Sequence, residues 1–278
     1  MMLSVLKTPL KRLRFQLGMP LKLGARQYRL RGYCANRFAS GLDHEPHLMP
    51  LIARELCKKN GAFVDIGTNV GQTLVKVLAL DPTRRYVGFE PQISCCFFVE
   101  QFLKDNALTR AQVIPLALFD VNRVCSLYSN DRYDEMASLS GAVEVSGRKR
   151  QSVTLVPCRI GDEVLDEIGL EEIAAIKIDV EGTELQVLTG LAQTLHKKQP
   201  AVIFEVLPNF YGHDRLMQDS ETCSRNTSIA ERLYKYLSDA GYEIRQINRC
   251  GDEIPIHKFD LDNRIDYIGS DYIASPRR

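Results

Sequence analysis

Asp179, Glu181 and Glu184 lie where the apolar run Ala174 to Ile178 gives way to Val180, Gly182, Thr183 and a helical pattern. Carboxylates in such a place can hold a cationic group, orient a hydroxyl or take a proton. A second group lies upstream, where Asp65 closes the apolar stretch Ala62-Phe63-Val64 and is followed by Gly67, Thr68, Asn69, Gly71 and Thr73. The two glycines permit a tight turn and close approach of backbone to a ligand, and the following helix offers unpaired N–H groups. The spacing is not that of a G-x-G-x-x-G dinucleotide turn, and a carboxylate there suits an ammonium group better than a pyrophosphate. Glu90 ends a third apolar stretch about 25 residues after Asp65, near the offset at which an acid takes a ribose diol. Pro91 keeps the chain extended at that acid.

Ribose and ammonium together point to S-adenosylmethionine. On these segments the chain resembles the FkbM-type S-adenosylmethionine-dependent methyltransferases, a branch of the Rossmann-like class I methyltransferases. The resemblance rests on Val64 to Gly71, on Phe89-Glu90-Pro91 and most specifically on Ile176 to Glu184, continues through Val187-Leu188-Thr189-Gly190 and Pro200 to Glu205, and spans roughly residues 45 to 275. It implies an α/β fold with a mostly parallel seven-stranded sheet, a C-terminal antiparallel strand and a small β insertion at about 120–160. It also implies that the Gly67–Gly71 turn, with Thr68, Asn69 and Thr73, holds the methionine part of the cofactor. Asp65 and Asp179 would lie near its ammonium, Glu90 and Pro91 at the ribose, and Ala117 and Leu118 near adenine. O-methylation, often of sugars, is associated with this family, so a hydroxyl on a glycan or other small molecule is the expected acceptor. Glu181, Glu205 and His213 are the candidates to orient or deprotonate it, Glu181 first.

These residues require elements that end at one edge of a sheet. Strands and helices alternate from residue 45: a helix near 45–59, the Asp65 strand, a helix over 94–106, a strand over 111–118, the Asp179 strand, a helix over 184–195 and a strand over 202–206. The rhythm breaks after Leu118. Val124 to Tyr128 and Ser152 to Pro157 read as extra strands around a polar segment containing Asp131 to Ser138 and the basic Arg148-Lys149-Arg150, which reads equally as a loop over the site or a hairpin tip. A helix from Ile229 and strands over 242–247 and 265–273 close the chain, and Asn226-Thr227-Ser228 reads as a helix start.

Each acid has a structural alternative. Asp65 could cap a turn, Glu184 is by default a favourable first-turn acid, and Asp179 could pair with Lys177, an option set aside on the expectation that neighbours along a strand point to opposite faces. The pair His44 and His47 resembles an H-x-x-H metal motif without a third ligand, and Pro46 argues against one regular helix, so no metal is expected.

The 278 residues carry a net charge of +1, which excludes bulk attraction to nucleic acid. The eight cysteines are scattered without a C-x-x-C pair and read as reduced thiols. No run of 18 apolar residues and no secretory signal is present, so a cytoplasmic protein is expected. Residues 1–44 read as a basic extension preceding a methyltransferase domain at 45–278. Nine basic residues from Lys7 to Arg37 precede the first acid, Asp43. That pattern fits a solvated arm or peripheral contact with an anionic membrane. Removing residues 1–30 is expected to leave cofactor affinity intact. The competing readings are a nicotinamide-dependent oxidoreductase and a non-catalytic scaffold that keeps the fold.

Overall fold

The computed structural model describes residues 18–139, 152–211, 216–217, 219–248, 250–262 and 270–277. A hairpin of β1 (Met19–Leu23) and β2 (Arg26–Leu30) leads to the short helix α1 (Ala35–Ala39) and to α2 (Leu48–Lys58). Alternation follows: β3 (Ala62–Ile66), α3 (Gln72–Leu80), β4 (Tyr86–Phe89), α4 (Ile93–Asp105) and β5 (Ala111–Ile114). The insertion supplies β6 (Ala117–Phe119), β7 (Arg123–Ser129) and β8 (Ser152–Ile160). Next come α5 (Gly161–Glu167), β9 (Ile173–Ile178), α6 (Glu184–Gly190), α7 (Ala192–Lys198), β10 (Ala201–Glu205), the short pair β11 (Phe210–Tyr211) and β12 (Leu216–Met217), and α8 (Ser220–Asp239). β13 (Tyr242–Ile247), β14 (Glu253–Pro255) and β15 (Asp271–Pro276) end the chain.

The central sheet has eight strands in the order β14-β13-β15-β10-β9-β3-β4-β5. Strands β10, β9, β3, β4 and β5 pair in parallel, and β15 inserts antiparallel between β10 and β13. Every residue of β3 and β9 is buried, as a parallel strand covered on both faces requires. The succession β3, β4, β5 runs one way from the centre and β9, β10 the other, so the order reverses between β3 and β9, the position at which open α/β sheets form a ligand crevice. The expected sheet is thus present with one addition, β14, a three-residue edge strand whose Pro255 suits an edge.

Four boundaries differ from those expected, the first being the closing strand, expected over 265–273 and found as Asp271–Pro276, with residues 263–269 outside the described ones. The strand expected over 111–118 is two strands in different sheets, since β6 pairs with β8 of the insertion and not with β4. The helix expected over 184–195 breaks at Leu191, and Asp162 caps the second piece by accepting from the Gln193 and Thr194 amides at 2.7 and 2.9 Å. Asn226 lies inside α8, whose N-cap is Asp219, with its side chain accepting from the Thr222 amide.

Residues 18–44 show no break in packing from the domain. Leu23, Tyr28, Leu30, Cys34, Ala35 and Phe38 join the core that also holds Phe63, Leu74, Val99 and Phe102. Arg31 forms a salt bridge to Asp105 on α4. Residues 1–17, which carry the basic amphipathic pattern, and Arg148-Lys149-Arg150 lie outside the described residues. Among the described residues no helix is long and apolar enough to cross a membrane.

Candidate active site

Period-two alternation assembles the site. Val64, Ile66, Ile176, Ile178, Val202, Phe204 and Tyr272 enter the core on one face of the sheet, and Phe63, Ile203 and Ile273 the core on the other. Residues of the second parity, including Asp65, Lys177, Asp179, Glu205 and Asp271, therefore share the face covered by α2 and α3. The antiparallel sense of β15 sets its first residue, Asp271, opposite Glu205, the last of β10. Acids from three strands thus meet at one edge.

There a cavity of about 400 Å³ falls within the range of small-molecule sites. Ile66, Phe89, Ala117, Leu118 and Leu127 supply apolar wall at one part, and Asp179, Glu181, Glu205, Asp271 and Glu45 a strongly acidic part.

Glu90, one residue beyond β4, is buried and lines this cavity. Its Oε2 accepts from the Asn69 amide and its Oε1 from the Gln92 amide, both at 2.7 Å. Burial pushes its carboxyl up to about 7 against the lowering effect of those amides. Each oxygen keeps a further lone pair.

The glycine turn is tight for reasons internal to the fold. Gly67 has φ +88°, and a Cβ there would fall 1.8 Å from the Asp179 carbonyl oxygen. Gly71 has φ +92°, and a Cβ would meet the Phe38 ring at 2.8 Å, so this glycine serves packing and does not line the cavity. The amides of Gly67 and Thr68 bond to the Phe89 carbonyl and that of Gly71 to Thr68. Thr68, Asn69, Thr73 and Pro91 do line the cavity.

Asp65 lies behind the wall. It has no exposure, accepts from the Tyr86 hydroxyl, and leaves Oδ1 without a partner among the described residues. Burial pushes it up to about 6, opposed by Lys177 and Tyr86. Its charge reaches the cavity through Lys177, whose Nζ lies 2.7 Å from Asp179 Oδ2. The expectation that these two point apart is corrected here: residues two apart along an extended chain share a face. Burial alone would lower the Lys177 value, but Asp179, Glu45 and Asp65 together hold it raised. Lys76 on α3, fully buried and 3.9 Å from Glu45, is lowered to about 8 by the same desolvation.

Glu181 sits at φ +56°, an uncommon left-handed conformation for a residue with a side chain, followed by Gly182 at +101°. Its carbonyl accepts from Ser138 Oγ at 2.6 Å, tying the insertion to the site. Asp134 adds a second tie, because its carbonyl accepts from Gln92 Nε2 at 2.7 Å and Asn69 Nδ2 at 3.1 Å. Of the two readings of the insertion, residues 131–139 take the first: Glu135, Met136, Ala137 and Leu139 line the cavity. Glu205 accepts from Ser270 Oγ at 2.9 Å and is raised well above the carboxylate range, first by burial and then by Asp179, Glu181 and Asp271. Glu184 is the first-turn acid of α6; it accepts from the Gly182 amide at 3.1 Å and burial pushes it up to about 7. His213 lies outside the described residues. Asp179, Glu181 and Glu205 each bring one carboxylate oxygen within 4.8 Å of the others, an arrangement that suits any cationic group.

Glu45, Ser270 and Asp271, which carry no site signal in the sequence, and His44 and His47, whose spacing suggests only metal ligands, all line the cavity, with His47 Nε2 2.7 Å from Asp271 Oδ2. The acid that begins β15 is visible in the sequence only once the antiparallel sense of that strand is known.

The family model described as the methyltransferase FkbM domain matches residues 65–244. The AMB antimetabolite synthetase AmbE of Pseudomonas aeruginosa is 24% identical over 216 residues, 66% of this chain, and the chain spans 10% of that relative's length. Among solved structures, methyltransferase FkbM of Methylobacillus flagellatus KT is 15% identical at a TM-score of 0.48, covering 78% of this chain and 43% of that one. The O-methyltransferase of Bacillus cereus in complex with SAH is 13% identical at a TM-score of 0.44, covering 84% of this chain and 81% of that one.

Proposed function

The chain belongs to the FkbM methyltransferase domain family, and from that membership and the chemistry of its cavity we propose an S-adenosylmethionine-dependent methyltransferase acting on a hydroxyl of a sugar or other small molecule. The observation that carries the reading is Glu90. Both of its oxygens are fixed by backbone amides of two different loops, and their remaining lone pairs suit the paired hydroxyls of a ribose. The apolar wall of Ile66, Phe89, Ala117 and Leu118 suits adenine, and the acidic part suits an ammonium and a sulfonium. Asp179 is the direct partner for the ammonium, with Asp65 setting the local charge through Lys177.

When bound, the cofactor supplies an electrophilic methyl group, so the protein's task is alignment of an acceptor and removal of its proton. Glu181, Glu205 and Ser270 offer polar groups that would orient a polyhydroxylated acceptor, and Met136, Ala137 and Leu139 of the insertion shape its entry. A small-molecule acceptor fits better than nucleic acid, because the cavity is acidic and the net charge of the chain is +1. Transfer of a labelled methyl group into extract, followed by mass identification of the product, tests the acceptor class. A labelled hydroxyl compound is expected; a product methylated only on nitrogen or carbon would overturn the oxygen assignment.

A further inference from the structure

We propose that His47, oriented by Asp271, is the base that takes the proton of the acceptor hydroxyl, an inference that rests on the methyltransferase reading above. The imidazole stands at the start of α2, its side chain is 2% exposed, and it lines the same cavity as Glu181. Nε2 lies 2.7 Å from Asp271 Oδ2. A carboxylate at that nitrogen fixes the proton on Nε2 and leaves the lone pair on Nδ1. Nδ1 has no hydrogen-bond partner among the described residues. Buried polar atoms are nearly always paired, so this nitrogen, closed to solvent on a residue that lines the cavity, is one that an incoming hydroxyl would satisfy by displacing the side chains over it.

The neighbouring charges suit this role. Asp271 meets the ring from β15, with Glu205 of β10 opposite Asp271; Glu45 lies two residues away on the same segment, where Lys76 on α3 pairs with it and the charge of Lys177 on β9 also acts on it. The carboxylates stabilise an imidazolium as it forms. Glu205, raised well above the carboxylate range by burial and then by Asp179, ends the neighbouring strand opposite Asp271. In the reaction the hydroxyl oxygen forms the new C–O bond while the methyl carbon's bond to sulfur breaks. The electron pair of the broken bond stays on sulfur and cancels its positive charge. The hydroxyl proton passes to His47 Nδ1 and then to water as product leaves.

The test joins nitrogen NMR of the full-length chain labelled in its histidine rings with methyl transfer into the extract product. His47 should show the Nε2–H tautomer at neutral pH, and Asp271→Asn should abolish that single-tautomer preference. His47→Gln should lower turnover by about 10²–10⁴-fold, with S-adenosylmethionine affinity within about twofold of the parent. An Nδ1–H tautomer in the parent protein, or near-normal turnover in His47→Gln and His47→Asn, overturns the assignment. The tautomer measurement needs no variant, so a misfolded substitution does not leave the question open. Failure of the parent to bind S-adenosylmethionine in calorimetry would instead remove the reading on which the inference rests.

Discussion

Lys177 Nζ meets Asp179 Oδ2 at 2.7 Å, and this one contact joins the buried face of β9 to the cavity. The ammonium, 7% exposed, stands among Asp65, Glu45 and Asp179, so it is the charge that makes three acids tolerable at the sheet edge.

Replacing Lys177 by Met should therefore destabilise the fold by about 3 kcal/mol, the low end for breaking a buried pair, because Asp179 keeps some access to water. Chemical denaturation measures this. A loss below about 1 kcal/mol would mean that the pair is solvent-screened like a surface contact.

Gly67→Ala should be more disruptive than its size suggests. The added methyl would collide with the Asp179 carbonyl at a backbone angle of φ +88°, and backbone strain of this kind costs about 1–3 kcal/mol before any collision. Cofactor affinity should fall with stability. A variant of parental melting temperature would show that the β3 and β9 loops can separate freely.

Cofactor affinity should also depend on pH through Glu90. Its carboxyl, raised from 4.5 to about 7 in the folded protein, holds a proton at pH 6 that a ribose diol must displace to meet the carboxylate. Affinity should rise from pH 6 to pH 8 and then level. For the free protein the sign is opposite: a raised carboxyl favours the folded state at low pH and loses that contribution as pH climbs from 4.5 towards 7. Glu90→Gln should flatten the affinity profile; an unchanged slope would assign it to Asp65 or Glu184.

Removing residues 1–30 should unfold the domain rather than leave it intact. The sequence reading placed these residues outside the domain, yet Leu23, Tyr28 and Leu30 are buried against α4 and its neighbours, and losing a buried side chain of this size costs about 2–5 kcal/mol. Circular dichroism of the truncated chain decides between the two.

The strands bearing Asp65, Glu90, Asp179 and Glu205 were legible because buried parallel strands are short, apolar and end in polar turns. The N-terminal hairpin was not, since Arg26-Gln27-Tyr28-Arg29-Leu30 mixes exposed charge with only two buried side chains. The acidic cluster was half legible: Glu205 ends β10 and Asp179 and Glu181 follow the end of β9, whereas Asp271 begins a strand, and His47 reaches the site only because α2 packs on α3 and the sheet. The separation of Ala117 from β5 is marked in the sequence only by Pro115, which divides Val113-Ile114 from Leu116-Ala117-Leu118 and cannot donate to a sheet ladder.

The central claim is tested most directly by calorimetric titration of the parent chain and of Glu90→Ala with S-adenosylmethionine, with NAD as a control. The account predicts one-site binding of S-adenosylmethionine, no binding of NAD, and a loss of about 1.5–3 kcal/mol in Glu90→Ala, the scale of charge-assisted hydrogen bonds to an ionised group. Binding of NAD in place of S-adenosylmethionine, or equal affinity in parent and variant, would contradict it.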